Sequence, residues 1–335
     1  MLEEGSNLEK KLHMREGDFQ IVQVGCGYWG ANLARTFNER GCLKYLSDIS
    51  NDSANILRNK INKDIKIILL EDAISNDSID AMSIATPAET HYSIAKKSLN
   101  HGKHVYIEKP VTLISQEAED LRDIAKEKSL VIQVGHLLLY HPAIDLMADL
   151  IRDGKIGDIK YIYSNRLSLG KFREHENVAW SFMPHDISLL NYFIGSPIET
   201  IRYNSTEIFS VNNQDIAHLW INYENGAKGH IFASWCNPFK EHKLVIIGDK
   251  GAFIFEDSAD TEKLKYIDSE IITNHGNIPT IKCSNNYEAI PFSPKKPLDI
   301  ACEEFVMSCK TGLNPKASIE NGIEVVKVLE ETDLN

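Results

Sequence analysis

Two kinds of hydrophobic pattern divide the chain. Up to about Gly135, short apolar runs alternate with stretches where apolar residues return every three to four positions. The runs at 20–24, 43–47, 65–70, 81–85, 104–107 and 130–134 predict strands. The stretches at 29–38, 53–61, 89–100 and 115–128 predict helices. Strands separated by helices of this length predict βαβ units and a parallel sheet. Beyond Gly135 the period changes. A helix at 142–152, closed by Gly154, precedes long two-residue alternation at 159–169, 216–223, 228–235, 243–247 and 252–256. Asn225-Gly226 and Asp249-Lys250-Gly251 separate two pairs of these segments, as hairpin turns do. Helices are expected at 298–310 and 319–331, and 257–297 is polar and poorly patterned. The fold class expected is α/β. A parallel-sheet domain at 19–136 leads into an α+β domain at 137–335 on an open, mostly antiparallel sheet. Residues 1–18 are expected to form a flexible N-terminal arm.

Composition narrows the classes of function. A length of 335 residues suits two domains. Acidic residues number 48 and basic ones 36, a net charge of −12. That balance argues against nucleic acid as the main partner, because a phosphate backbone needs clustered Lys and Arg. One small phosphorylated ligand needs only a few local donors and stays open. No apolar run approaches the ~18 residues of a membrane-spanning helix, and 1–19 lacks the apolar segment of a secretory signal. Cys26, Cys42, Cys236, Cys283, Cys302 and Cys309 form no C-x-x-C pair and have no His at zinc-ligand spacing. The expectation is a cytoplasmic chain with reduced thiols and no metal.

The chemistry begins at Gly25-Cys26-Gly27-Tyr28-Trp29-Gly30, a G-x-G-x-x-G run between a strand and a helix. Gly25 permits the tight turn, Gly27 lets a pyrophosphate approach the backbone, and Gly30 lets the helix pack on the sheet. The N–H groups at the helix start, with Tyr28 and Trp29, then face the pyrophosphate. This context makes 19–136 a Rossmann dinucleotide-binding domain. Asp48 ends the second strand, where its carboxylate can accept from ribose hydroxyls and repel a 2′-phosphate. NAD is therefore favoured over NADP. Farther on, Glu108-Lys109-Pro110 stands at the carboxyl end of another parallel strand. Pro110 pushes Lys109 toward an extended conformation, which aims its side chain at the ligand edge.

Thr86-Pro87-Ala88-Glu89-Thr90-His91, Gly102-Lys103-His104-Val105 and Glu108-Lys109-Pro110, in this order and spacing, resemble the Gfo/Idh/MocA oxidoreductases. The resemblance runs from Phe19 to about Leu329. It implies cofactor contacts from Thr86, Pro87, His91, Glu108 and Lys109, and a homodimer or homotetramer formed through the C-terminal sheet. A helix is expected to begin at Met183-Pro184-His185-Asp186, with Pro184 in its first turn and His185 and Asp186 exposed at its start. An imidazole suits proton transfer near neutral pH. The resemblance implies that His185 accepts the hydroxyl proton, with Lys109 beside it, as the catalytic pair. Many members carry Asp four residues before that His; here the position is Ser181. Either Lys109 and His185 suffice, or Glu108 or another carboxylate assists.

Residues 165–180 mix Arg, Asn, Ser and aromatic side chains just before this helix. Arg166 and Arg173 could grip a phosphate, with Asn177, Trp180 and Ser181 beside the substrate. Together with Gly135-His136 and Tyr140-His141-Pro142, this region is most similar to the nucleotide-sugar branch of the family. That branch oxidises C3 of UDP-N-acetylhexosamines or UDP-N-acetylglucosaminuronic acids for surface-polysaccharide or lipid A synthesis. The resemblance then implies a nucleotide-sugar substrate that lies between the domains and contacts Tyr140. Rival readings are a free-sugar or inositol dehydrogenase, an NADPH-dependent sugar 3-ketoreductase, and a catalytically silent NAD-binding sensor.

Overall fold

The protein is described here by a computed structural model covering residues 19–170, 172, 173, 176–211, 213–272 and 278–333. The arm expected at 1–18 lies outside the described residues, as do Lys171, Glu174 and His175 of the pre-helix loop. The chain splits into two compact units, Met1–Tyr140 with Lys296–Lys327, and His141–Lys295 with Val328–Asn335.

The first unit is built on a six-stranded parallel sheet. Its strands are β1 (Ile21–Val24), β2 (Leu43–Ser47), β3 (Lys66–Ile67), β4 (Ala81–Ile84), β5 (His104–Ile107) and β6 (Ile132–Val134), in the order β3-β2-β1-β4-β5-β6. The helices are α1 (Tyr28–Glu39), α2 (Asn51–Ile61), α3 (Leu70–Ser75), α4 (His91–Asn100) and α5 (Ser115–Glu127). β1, β4 and β5 are buried on both faces apart from His104, as parallel strands sandwiched by helices must be. The order reverses between β1 and β4, the switch point where open α/β sheets bind ligands. The strand expected at 65–70 is shorter, because Leu69 opens α3 instead.

The chain end corrects the expected domain boundary. α8 (Pro297–Thr311) and most of α9 (Ile319–Asp333) belong to the first unit, not to the second domain. The reason is packing. Phe305 meets Phe37 and Tyr106 in edge-on ring contacts, and Gln133 Nε2 donates to the Ala301 carbonyl at 2.8 Å.

The second unit carries an eight-stranded sheet with α6 (Pro142–Arg152) and α7 (Val178–Ile194). Its strands are β7 (Ile159–Leu169), β8 (Ile198–Thr206), β9 (Ile216–Tyr223), β10 (Lys228–Ser234), β11 (Cys236–Gly248), β12 (Gly251–Glu256), β13 (Leu264–Ile272) and β14 (Thr280–Ala289). They lie in the order β14-β13-β12-β11-β7-β10-β9-β8, and only β7–β10 pair in parallel. Both expected hairpins form, β9–β10 and β11–β12. The polar stretch at 257–297 nevertheless contains β13 and β14, and β8 also went unsignalled. All three lie at or beside a sheet edge, where a strand buries little and its apolar alternation fades.

Candidate functional site

At the carboxyl edge of the parallel sheet, β1 enters the glycine turn. Gly25 has φ +86°, and a Cβ there would stand 2.5 Å from the Ala85 carbonyl oxygen. A Cβ on Gly30 would stand 2.0 Å from the Gly25 carbonyl oxygen. Both glycines are required by the protein's own backbone. Gly27 differs, because a Cβ there would meet nothing within 4 Å. It keeps an open shelf at the start of α1, where no side chain caps the helix and no acid sits in the first turn. Free N–H groups, the positive helix end and open space are what a pyrophosphate needs. The residues therefore fit a dinucleotide. Tyr28 projects into solvent, 87 % exposed, while Trp29 packs inward.

Asp48 follows β2 and is fixed beside this turn. Its Oδ2 accepts from Cys26 N at 2.6 Å and its Oδ1 from Ser50 N at 2.8 Å. Thr86 and Pro87 follow β4, with Thr86 and Thr90 hydroxyls 2.7 Å apart. Lys109 and Pro110 follow β5 and are joined by a cis peptide bond. Glu108, also at this edge, accepts from the Trp29 indole N–H. Its carboxyl is pushed up to about 7 by burial, against the opposing pull of Trp29 and Lys109.

Two expected contacts at this edge are corrected. His91 is buried, and its ring nitrogens lie 2.8 Å from the Pro110 carbonyl and 2.9 Å from the Thr86 carbonyl. It ties two strand ends together from behind instead of facing a cofactor, and burial lowers its pKa. Tyr140 is 1 % exposed, and its hydroxyl accepts from Ala317 N at 3.1 Å. It is a core residue of the first unit, not a substrate contact.

In the second unit, the histidine helix starts earlier than expected. Asn177 is its N-cap, accepting from Trp180 N at 3.0 Å, so Pro184 lies inside the helix. His185 is therefore mid-helix and half-buried, and Asp186 is buried, not exposed at a helix start. Pro184 withholds the N–H that would bond the Trp180 carbonyl four residues back. Ser181 is buried one turn before His185.

Arg166, expected to face a phosphate, is corrected as well. It is held by Asp186, through Nε to Oδ2 and through Nη2 to Oδ1 at 2.9 Å. Ser164 Oγ donates to the same carboxylate at 2.6 Å. Trp180 is buried and its indole donates to both Asp333 oxygens at 3.1 Å. Arg173 is exposed and pairs with Glu176. Of the residues expected here, Arg173 is exposed and His185 half-buried, whereas Asn177 spends its side-chain oxygen on the cap and Ser181 is buried. The sequence reading missed Ser164, whose only signal is its register opposite the helix. Among the described residues no three His, Cys, Asp or Glu side chains gather to hold a metal, and no helix is long and apolar enough to cross a membrane.

Comparison with known proteins agrees with this architecture. Residues 19–136 match the family profile described as "Oxidoreductase family, NAD-binding Rossmann fold". Residues 144–254 match "GFO/IDH/MocA C-terminal domain". The chain is 28 % identical to the UDP-N-acetylglucosamine 3-dehydrogenase of Acidithiobacillus ferrooxidans, over 67 % of each chain. It is 26 % identical to the scyllo-inositol 2-dehydrogenase (NAD(+)) of Bacillus subtilis, over 54 % of this chain and 56 % of that one. The chain thus spans about two thirds or less of the length of these relatives. A solved structure of the Acidithiobacillus enzyme superposes with a TM-score of 0.81 at 22 % identity, covering 94 % of this chain and 96 % of that one. At that identity the superposition establishes the fold.

Proposed function

The chain belongs to the Gfo/Idh/MocA oxidoreductase family, and on that premise we propose that it is an NAD-dependent dehydrogenase of a sugar hydroxyl. The hydroxyl we assign is C3 of a UDP-N-acetylhexosamine, giving the 3-keto sugar. One observation carries the cofactor half of this reading: Gly27 keeps an open shelf where Gly25 and Gly30 are filled by backbone. Asp48, fixed beside that shelf, supports NAD over NADP. The similarity to the UDP-N-acetylglucosamine 3-dehydrogenase supports the sugar.

NAD+, when bound, would supply the acceptor for the hydride of C3. His185 takes the proton of the hydroxyl, and Lys109 orients that hydroxyl and stabilises negative charge growing on its oxygen. Arg173, exposed in the second unit and paired with Glu176, is the cation assigned to the diphosphate. The outward sheet face carries Tyr161, Tyr163, Trp220 and His230, half-buried or exposed, which supports association with a second copy.

A second reading has its own support. Asp186 occupies Arg166, which removes one donor a nucleotide diphosphate would use. That favours a free sugar or inositol, in keeping with the Bacillus relative. A panel of UDP-sugars, free sugars and inositols with NAD+, followed at the NADH band, tests both. NADH formation only with UDP-linked sugars supports the first, and turnover of free polyols alone overturns it. NAD+ binding with no turnover of any of them leaves the sensor reading. Lys109→Ala and His185→Ala are each expected to abolish most turnover of the accepted substrate.

A further inference from the structure

The second unit holds a buried carboxylate that no step of the proposed chemistry uses. Asp215 precedes β9 and is 0 % exposed. Its Oδ2 accepts from three successive backbone N–H groups, Ile208 at 2.9 Å, Phe209 at 2.6 Å and Ser210 at 2.9 Å. Its Oδ1 accepts from the Ser210 hydroxyl and, at 2.7 Å, from the Trp235 indole N–H. Charge-assisted bonds are the strong ones, and five of them converge here. The connection after β8 is pinned at its backbone, and the Trp235 ring is pinned with it.

What this anchor holds is exposed. Phe209 is 72 % exposed on the pinned connection, and Phe172, 46 % exposed, meets it edge-on with ring centroids 6.1 Å apart. Phe172 also leans on the Trp235 ring at 6.0 Å. One carboxylate thus fixes the backbone under one ring and the support of the other. Asn213 braces the neighbouring segment, since its Nδ2 donates to the Arg173 carbonyl at 2.6 Å and to the Glu176 carbonyl at 3.2 Å. Aromatic rings left in water contribute little to folding. A fixed aromatic face suits a flat ligand, because little side-chain freedom is then lost on binding.

Leu167, Ser234 and Ile216 lie in one row, so β7 and β10 end and β9 begins at the same rim of the sheet. α7 begins there too, with Val178 N bonded to the Gln214 carbonyl at 3.2 Å. His185 lies farther along α7, roughly 10 Å from Val178 at ~1.5 Å per residue. Arg173 is next to Phe172 in the chain, and its pair with Glu176 is partly exposed, so an anion can compete for it. In chain order these are an aromatic ring, a cation and an imidazole about two turns into a helix. A nucleoside diphosphate sugar carries a planar base, a diphosphate and a reacting hydroxyl in the same order.

We propose that Phe172 and Phe209 form the subsite for the base of a nucleoside-diphosphate-linked substrate, which rests on the nucleotide-sugar reading above. The base stacks on this face, the diphosphate meets Arg173, and the sugar is carried toward His185. The two rings thereby set the preference for a nucleotide-linked sugar over a free one.

Calorimetric titration of UDP onto the full chain, with NAD+ saturating, tests this without turnover. Phe209→Leu keeps apolar bulk at an exposed position and removes the ring. It is expected to weaken UDP binding about tenfold and to leave NAD+ binding within about twofold of the parent. Phe172→Leu is expected to do the same, and Phe209→Tyr to retain the affinity. In turnover of the UDP-linked sugar, each leucine variant should raise KM and move kcat less than about twofold. Unchanged UDP affinity in both leucine variants overturns the subsite and leaves the nucleotide-sugar reading standing. A parent chain that binds no UDP overturns both. A leucine variant that binds UDP normally but changes the sedimentation equilibrium makes the face a contact between copies, which also overturns the subsite.

Discussion

Arg166 and Asp186 form a buried, two-bonded ion pair one residue past His185. The Asp186 side chain is 1 % exposed and that of Arg166 12 %. Ser164 completes the set of donors from β7. The pair ties α7 to the sheet beneath it and fixes the helix that presents His185. Removing one partner strands a buried charge, at roughly 3–5 kcal/mol. Asp186→Asn and Arg166→Met should each lower the melting midpoint by roughly 10 °C. The double variant Arg166→Met/Asp186→Leu should recover much of that loss, because an apolar replacement leaves no orphan charge. Scanning fluorimetry of the four chains closes the cycle. Losses that simply add in the double variant would show that the two residues are not coupled.

The glycine turn separates folding from binding. Gly27 has φ −67° and ψ −167°, ordinary backbone for any residue, and open space around its missing Cβ. Gly27→Ala should leave stability within about 0.5 kcal/mol of the parent. It should still weaken NAD+ binding at least about tenfold, because the new methyl takes the place of the pyrophosphate. Gly30→Ala drives a methyl into the Gly25 carbonyl and should lose fold stability as well as binding. Calorimetric titration of NAD+ beside a thermal melt distinguishes the two. A Gly27→Ala chain that binds NAD+ normally would remove the shelf from the cofactor site.

What the sequence made legible follows from the range of the forces involved. The G-x-G-x-x-G turn and the Asn225-Gly226 hairpin are set by backbone sterics over a few residues, so their signal is local. Asn177 as an N-cap was also local, yet Pro184 drew the helix start five residues too late, since proline is favoured at first turns. Arg166 was misread because its partner lies 20 residues away, and only the docking of α7 on β7 brings Asp186 to it. The same holds for His91 and Tyr140. The family resemblance implied ligand contacts for both, and tertiary packing turns their polar atoms toward the Pro110 carbonyl and Ala317 N. β13 and β14 were missed because edge strands carry little of the burial that imprints alternation.

Asp48 should govern the choice of cofactor. Two backbone donors, Cys26 N and Ser50 N, hold its carboxylate beside the glycine turn. A fixed negative charge there opposes a 2′-phosphate, and like charges a few ångströms apart cost about 1–4 kcal/mol near a protein surface. Asp48→Ser removes the charge while keeping an acceptor. The ratio of NADP+ to NAD+ affinity should rise at least about tenfold, measured by calorimetry with both dinucleotides. An unchanged ratio would show that the ribose is read elsewhere.

The raised Glu108 carboxyl has a consequence for stability, and its sign is opposite to that of a paired surface acid. The folded chain holds the proton up to about 7, whereas an unperturbed Glu releases it near 4.5. Between these values the folded state binds more protons than the unfolded one, so stability falls as pH rises through that window and levels off above it. The full linkage amounts to about 3 kcal/mol, and partial exposure of the residue reduces it. Glu108→Gln abolishes this contribution. Urea denaturation should therefore show the variant gaining on the wild type from pH 5 to pH 8, by roughly 1–3 kcal/mol. A difference that stays constant across that range would mean the carboxyl titrates normally.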